Sequence, residues 1–129
     1  DRYNQNFEDC IERYTRNSND ATYDGPAIER VYRRVREQTD DNIIFITITD
    51  GAPEGYNYGG KKAIDDLRKI IEKCKRDGFV TCGIGLAHNS TKDIHNYFTI
   101  IENGTSAGEM FKNIATLINR IVKTEFQDL

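Results

Sequence analysis

The chain has 129 residues, 37% of them hydrophobic and 30% charged, and a net charge of −3 with acidic and basic residues well mixed. That length and apolar content suit a single domain, residues 1–129, around one core. The charge balance gives no electrostatic reason to bind nucleic acid, and no apolar run approaches the ~18 residues of a membrane span.

In chain order, Tyr3, Phe7, Cys10, Ile11 and Tyr14 recur at helical spacing and predict a first amphipathic helix. Residues 15–26 are rich in turn formers and read as loop. A second helix is expected from about Pro26, which suits a first turn, with Ile28, Val31, Tyr32 and Val35 on its apolar side. Residues 43–49 form an unbroken apolar or β-branched run that stops at Asp50-Gly51. Such a run predicts a strand buried on both faces, in a parallel sheet covered by helices. A polar Gly/Tyr/Asn loop over 54–60 leads to a third helix carrying Ile64, Leu67, Ile70, Ile71 and Cys74 and ending at Gly78. Residues 79–86 read as a second buried strand ending in Gly83-Ile84-Gly85, and residues 97–101 as a third, shorter one, joined to it by a loop or short helix. Ser106-Ala107-Gly108-Glu109 has the form of a capping box. It opens a last helix whose Phe111, Ile114, Leu117, Ile118, Ile121 and Val122 are expected to pack inward.

The order α-α-β-α-β-β-α predicts an α/β fold of three layers, a mostly parallel sheet with helices on both faces. Open sheets of this kind place ligand sites past the carboxyl ends of their strands. Asp50 stands at such an end and reads as a functional acid or as a turn-former bonded to its own backbone. Asp24 reads as a ligand or as the N-cap of the second helix. Gly83 and Gly85 lack the third glycine and following helix of a dinucleotide fingerprint and predict close helix-to-sheet packing. His88 and His95 read as two surface histidines before a metal or catalytic pair. Cys82, inside a strand, reads as a small hydrophobe. Three widely spaced cysteines without a CxxC pair speak against zinc, and with no secretory leader they set the expectation of a reducing cytoplasm. The loop Tyr56-Asn57-Tyr58-Gly59-Gly60 reads as a binding rim or an ordinary solvent loop.

The loop Asp24-Gly25-Pro26-Ala27, the strand and turn from Ile44 to Pro53, and the strand end Gly83-Ile84-Gly85-Leu86-Ala87-His88-Asn89 together resemble the C-terminal part of a von Willebrand factor A domain. More narrowly, they are similar to the A domain that closes the CobT-type cobalt chelatase subunit of cobalamin biosynthesis. The resemblance covers residues 18–124. It implies a VWA/Rossmann-like fold that is N-terminally incomplete, since no aspartate-x-serine-x-serine loop or first strand is found here. It implies a metal site of the MIDAS type, a hard divalent ion on oxygen ligands, with Asp50, Asp24 and Thr22 as the metal positions. Without the serine loop, Mg²⁺ is expected to be held weakly or in an incomplete site. The implied function is non-catalytic: docking of an AAA+ ATPase or of the large chelatase subunit, with Gly51, Tyr56 and His88 at partner-binding positions. Two alternatives stand beside it, a metal-free structural or assembly domain of the same fold and a small hydrolase using Asp50 and His88 as acid and base. The 43–49 strand carries no lysine or proline to guard an edge, so its edge is expected to be covered by a second copy or by a polypeptide that supplies strands.

Overall fold

The run Ile-Phe-Ile-Thr-Ile-Thr forms β1 (Ile44–Thr49), the first strand of a three-stranded parallel sheet. The structure is a computed structural model that describes residues 23–127. Around β1 lie α1 (Asp24–Gln38), α2 (Gly60–Arg76), β2 (Val80–Leu86), β3 (Tyr97–Ile101) and α3 (Ala107–Glu125). The sheet order is β1-β2-β3, with Ile46 opposite Cys82 and Ile84 opposite Thr99. The expected helix over residues 3–14, with Cys10, and the expected site residue Thr22 lie outside the described residues.

Alternation of side chains along the strands divides the sheet into two faces. On one, Phe45 and Phe79 pack with Ile28 and Tyr32 of α1 and with Leu67, Ile70, Ile71 and Cys74 of α2. On the other, Cys82, Ile84 and Ile101 pack with Leu117 and Ile121 of α3. The result is the three-layer α/β fold that the order of elements predicts. α2 buries its Leu67, Ile70, Ile71 and Cys74 as spaced, and Gly78 follows it at φ 82°, in the left-handed region that favours glycine. α3 begins where expected, its Ser106 hydroxyl accepting the Glu109 amide at 3.2 Å. At the amino end of the sheet, the Tyr32 hydroxyl donates to the Asp77 carboxylate and Arg36 to the Asp77 carbonyl. The Arg36 guanidinium also lies 4.3 Å from the centre of the Phe79 ring, tying α1 to the turn before β2.

Two expectations about burial are corrected. β1 is not buried on both faces: Ile46 is 38% and Ile48 60% exposed. They share the sheet face of Ile44, but α3 packs over β2 and β3, and among the described residues β1 is bonded only to β2. Nor do all six apolar residues of α3 point inward. Leu117 and Ile121 are buried with Ile114 beside them, whereas Phe111 is 69% and Val122 44% exposed. At ~100° per residue, Phe111, Ile118 and Val122 form a second stripe next to the first, and the sheet covers one of the two. Val31 of α1 is likewise exposed rather than inward. None of the described helices is long and apolar enough to cross a membrane.

Candidate functional site at the carboxyl edge of the sheet

Parallel pairing brings the ends of all three strands to one edge. Asp50 leaves β1 there and is exposed. The local hydrogen bonds of its turn belong to Thr49, whose hydroxyl donates to the Gly51 carbonyl at 3.0 Å and lies 3.4 Å from the Gly51 amide. The expected Asp50 turn bond is therefore made by its neighbour, which leaves the carboxylate facing solvent beside Gly51.

His88 leaves β2 at the same edge. Its Nε2 lies 3.0 Å from the Thr49 carbonyl, an acceptor, so Nε2 carries the proton. Nδ1 then accepts from the Ser90 hydroxyl at 2.9 Å. The ring ties the loop after β2 to the end of β1, with both nitrogens committed. Neither is free to take a proton from a substrate, so the geometry gives no support to an Asp50–His88 acid–base pair.

Asp24 is the first residue of α1, not its N-cap; that position is Tyr23, which makes no side-chain cap bond. The reason is that the helix begins one residue earlier than the Asp-Gly-Pro sequence suggests, placing the carboxylate in the first turn, where the helix dipole favours it. Burial raises the Asp24 pKa, the neighbouring His88 lowers it, and the Asp50 charge raises it further. Asp24, Asp50 and His88 thus share one electrostatic neighbourhood. Tyr56 is joined to it through Tyr23, whose hydroxyl accepts the Tyr56 amide at 2.9 Å and whose ring lies 5.3 Å from that of buried Tyr58. Gly55 and Tyr58 exchange backbone hydrogen bonds, and Tyr56 at the tip is 87% exposed. Among the described residues no group of three or more His, Cys, Asp or Glu side chains is placed to hold a metal ion.

Three further residues were not singled out by sequence: Thr47, Thr91 and, in its actual position, His95. The connection over residues 87–96 crosses the α1/α2 face of the sheet and buries Ile94 there. His95 is consequently not a surface histidine. Its ring lies over Gly83, where a Cβ would stand 2.5 Å from the His95 Cδ2. A Cβ on Gly85 would stand 2.0 Å from the His88 carbonyl oxygen. The two glycines therefore make room for this connection, not for a helix as expected. His95 Nε2 is 3.3 Å from the Thr47 hydroxyl, which in turn lies 3.4 Å from the Cys82 carbonyl. Burial, helped by the positive charge of Lys75, pushes the His95 pKa down to about 4. A signal for this site stood in the sequence: the inward positions of β1 run Phe45, Thr47, Thr49, so two hydroxyls face a layer that is otherwise apolar. Between α1, β1 and the connection lies a cavity of about 180 Å³, lined by Asp24, Ile28, Thr47, Leu67, Thr91 and His95 among others. Cys74 and Cys82 play no part in it; both are buried, and burial pushes each thiol up to about 11, leaving them unreactive.

Fold and site together define an α/β domain with a polar carboxyl edge. Comparison with family models, with characterised proteins and with solved structures finds no match to this chain.

Proposed function

We propose that the chain is a VWA-like interaction domain of a cobalt- or magnesium-chelatase-type subunit, working in the cytoplasm without catalysing a reaction itself. It docks an AAA+ ATPase or a large chelatase subunit through the carboxyl edge of its sheet. The observation that carries this reading is the meeting of Asp24, Asp50 and His88 at that edge, with exposed Tyr56 anchored alongside by Tyr23. A solvent-facing aromatic whose backbone is tied down beside a carboxylate is the kind of group that dominates binding at interfaces. Two carboxylates without hydroxyl ligands hold Mg²⁺ weakly, so an ion at Asp24 and Asp50 is a secondary feature of the docking face. In a pull-down with an AAA+ partner, Asp50→Ala combined with Tyr56→Ala is expected to weaken association about tenfold or more. The melting curve should stay within about 0.5 kcal/mol of the parent, because both side chains are exposed. Equal capture of parent and double variant would remove this surface from consideration.

The same reading includes self-association, or association with a strand-supplying polypeptide, along β1. Ile46 and Ile48 are exposed on a strand with no charged or proline residue to discourage pairing. The parent chain is expected to sediment above 14.8 kDa at micromolar concentration or to require a partner for stability. Ile48→Lys should return it to a monomer. A parent chain that sediments as a clean monomer and melts cooperatively contradicts this part of the proposal.

A further inference from the structure

We propose that residues 3–14 of this chain dock as a helix over the exposed face of β1, in a groove between β1 and α3. The floor of the groove is the β1 face that carries Ile44, Ile46 and Ile48, the last two open to solvent. Its wall comes from α3. The Tyr97 hydroxyl at the start of β3 donates to Glu125 at the end of α3 at 2.6 Å, so this helix runs antiparallel to the strands. The Arg120 guanidinium lies 5.8 Å from the centre of the Tyr97 ring, on β3, the strand farthest from β1. At ~100° per residue, Phe111, Ile118 and Val122 stand roughly opposite Arg120 around the helix and look across β2 toward β1. Right-handed crossovers, the rule between parallel strands, give α3 the same orientation. The two apolar strips therefore border one groove.

The shape of the gap selects a helix. Among the described residues, α1 and α2 cover one face of the sheet and α3 alone packs on the other. Strands lie about 4.8 Å apart and a helix is about 10 Å wide, so one helix spans two strands and α3 leaves β1 bare. An added strand cannot fill this gap. Pairing at the edge of β1 satisfies backbone groups in the plane of the sheet and leaves Ile46 and Ile48 in water. A second helix beside α3 removes them from water.

The chain itself supplies that helix. Tyr3, Phe7, Cys10, Ile11 and Tyr14 recur at helical spacing and provide one apolar face. A helix over residues 3–14 is about 18 Å long, and the 6 residues of β1 extend about 20 Å. Asp24 lines a cavity with Thr47, Ile48 and Thr49, so α1 begins beside the carboxyl end of the strand to be covered. Residues 15–22 can reach up to about 27 Å. Helix layers on opposite faces of a sheet are on the order of 20 Å apart, within that reach. Docking at the carboxyl edge takes no part in this, and strand pairing along β1 uses its backbone edge rather than this face.

The test is NOE spectroscopy on the full chain with labelled Ile and Val methyls. Contacts from the Ile46, Ile48 and Val122 methyls to the rings of Tyr3, Phe7 or Tyr14 are expected. Phe7→Asp should abolish them and shift the Ile48 methyl signal, while the amide signals of α2 and β2 stay as in the parent. The milder Ile11→Ala should weaken them. Glu12→Lys, on the opposite side of the same helical pattern, should leave them intact. A mixture of differently labelled copies separates contacts within a chain from contacts between chains. Contacts found only between copies would make a second molecule the occupant and overturn the proposal. So would an absence of contacts between these methyls and residues 3–14, or contacts that survive Phe7→Asp.

Discussion

Gly85→Ala is expected to cost ~3 kcal/mol or more of unfolding free energy, read from urea melts. The added methyl would lie 2.0 Å from the carbonyl oxygen of His88 and 3.0 Å from Phe98. A carbonyl oxygen belongs to the backbone, so relief requires the loop after β2 to move as a unit. That loop is held by the His88–Thr49 bond and by the Ala87 amide, which donates to the Ile101 carbonyl at 2.8 Å. Moving it therefore breaks the fastening between all three strand ends. Gly83→Ala meets the His95 ring instead, a side chain with its own torsional freedom, and should cost visibly less. A Gly85→Ala variant as stable as the parent would mean that the loop does not cross the sheet at this point.

Lowering the pH from 7 to 4 is expected to remove up to about 3 kcal/mol of stability through His95. Its pKa stands at about 4 in the folded chain against an ordinary value of 6.5, because burial and Lys75 disfavour the cation. Between these values the unfolded chain binds the proton and the folded chain does not. The contribution is thus fully present above pH 6.5 and is lost as pH falls toward 4. Asp24 works in the opposite direction: its raised pKa lets the folded chain take up the proton before the unfolded chain does as pH falls, so Asp24→Asn should steepen the loss over the interval in which Asp24 titrates. Urea melts across this interval should flatten in His95→Gln. A parent chain whose stability is constant between pH 4 and 7 would place the imidazole in solvent.

Much of the fold was legible because its periodicities are simple. The spacing of Leu67, Ile70, Ile71 and Cys74 allows one buried face, and the structure uses it. Ser106 and Glu109 marked a helix start within a residue. Periodicity failed where it had to know the width of its partner. β1 is apolar on both sides, but nothing within that strand says whether a helix reaches over Ile46 and Ile48. α3 carries two apolar stripes, and only the three-stranded sheet decides that Leu117 and Ile121 win over Phe111 and Val122. At the carboxyl edge, the positions of Asp50 and His88 were readable because they follow the ends of β1 and β2, whereas Asp24 stands in the first turn of α1 and not at its N-cap. His95 and Thr91 were not readable, since the path of residues 87–96 depends on the space that Gly83 and Gly85 leave over the sheet. The paired threonines of β1 were the missed clue.

The docking face is tested most directly by amide hydrogen exchange of the chain alone and in complex with an AAA+ partner. Slowed exchange is predicted at residues 50–58 and 87–90, together with the first turn of α1, and unchanged exchange along the outer stripe of α3. Protection confined to α3, or none at the carboxyl edge in a complex known to have formed, would contradict the proposed function.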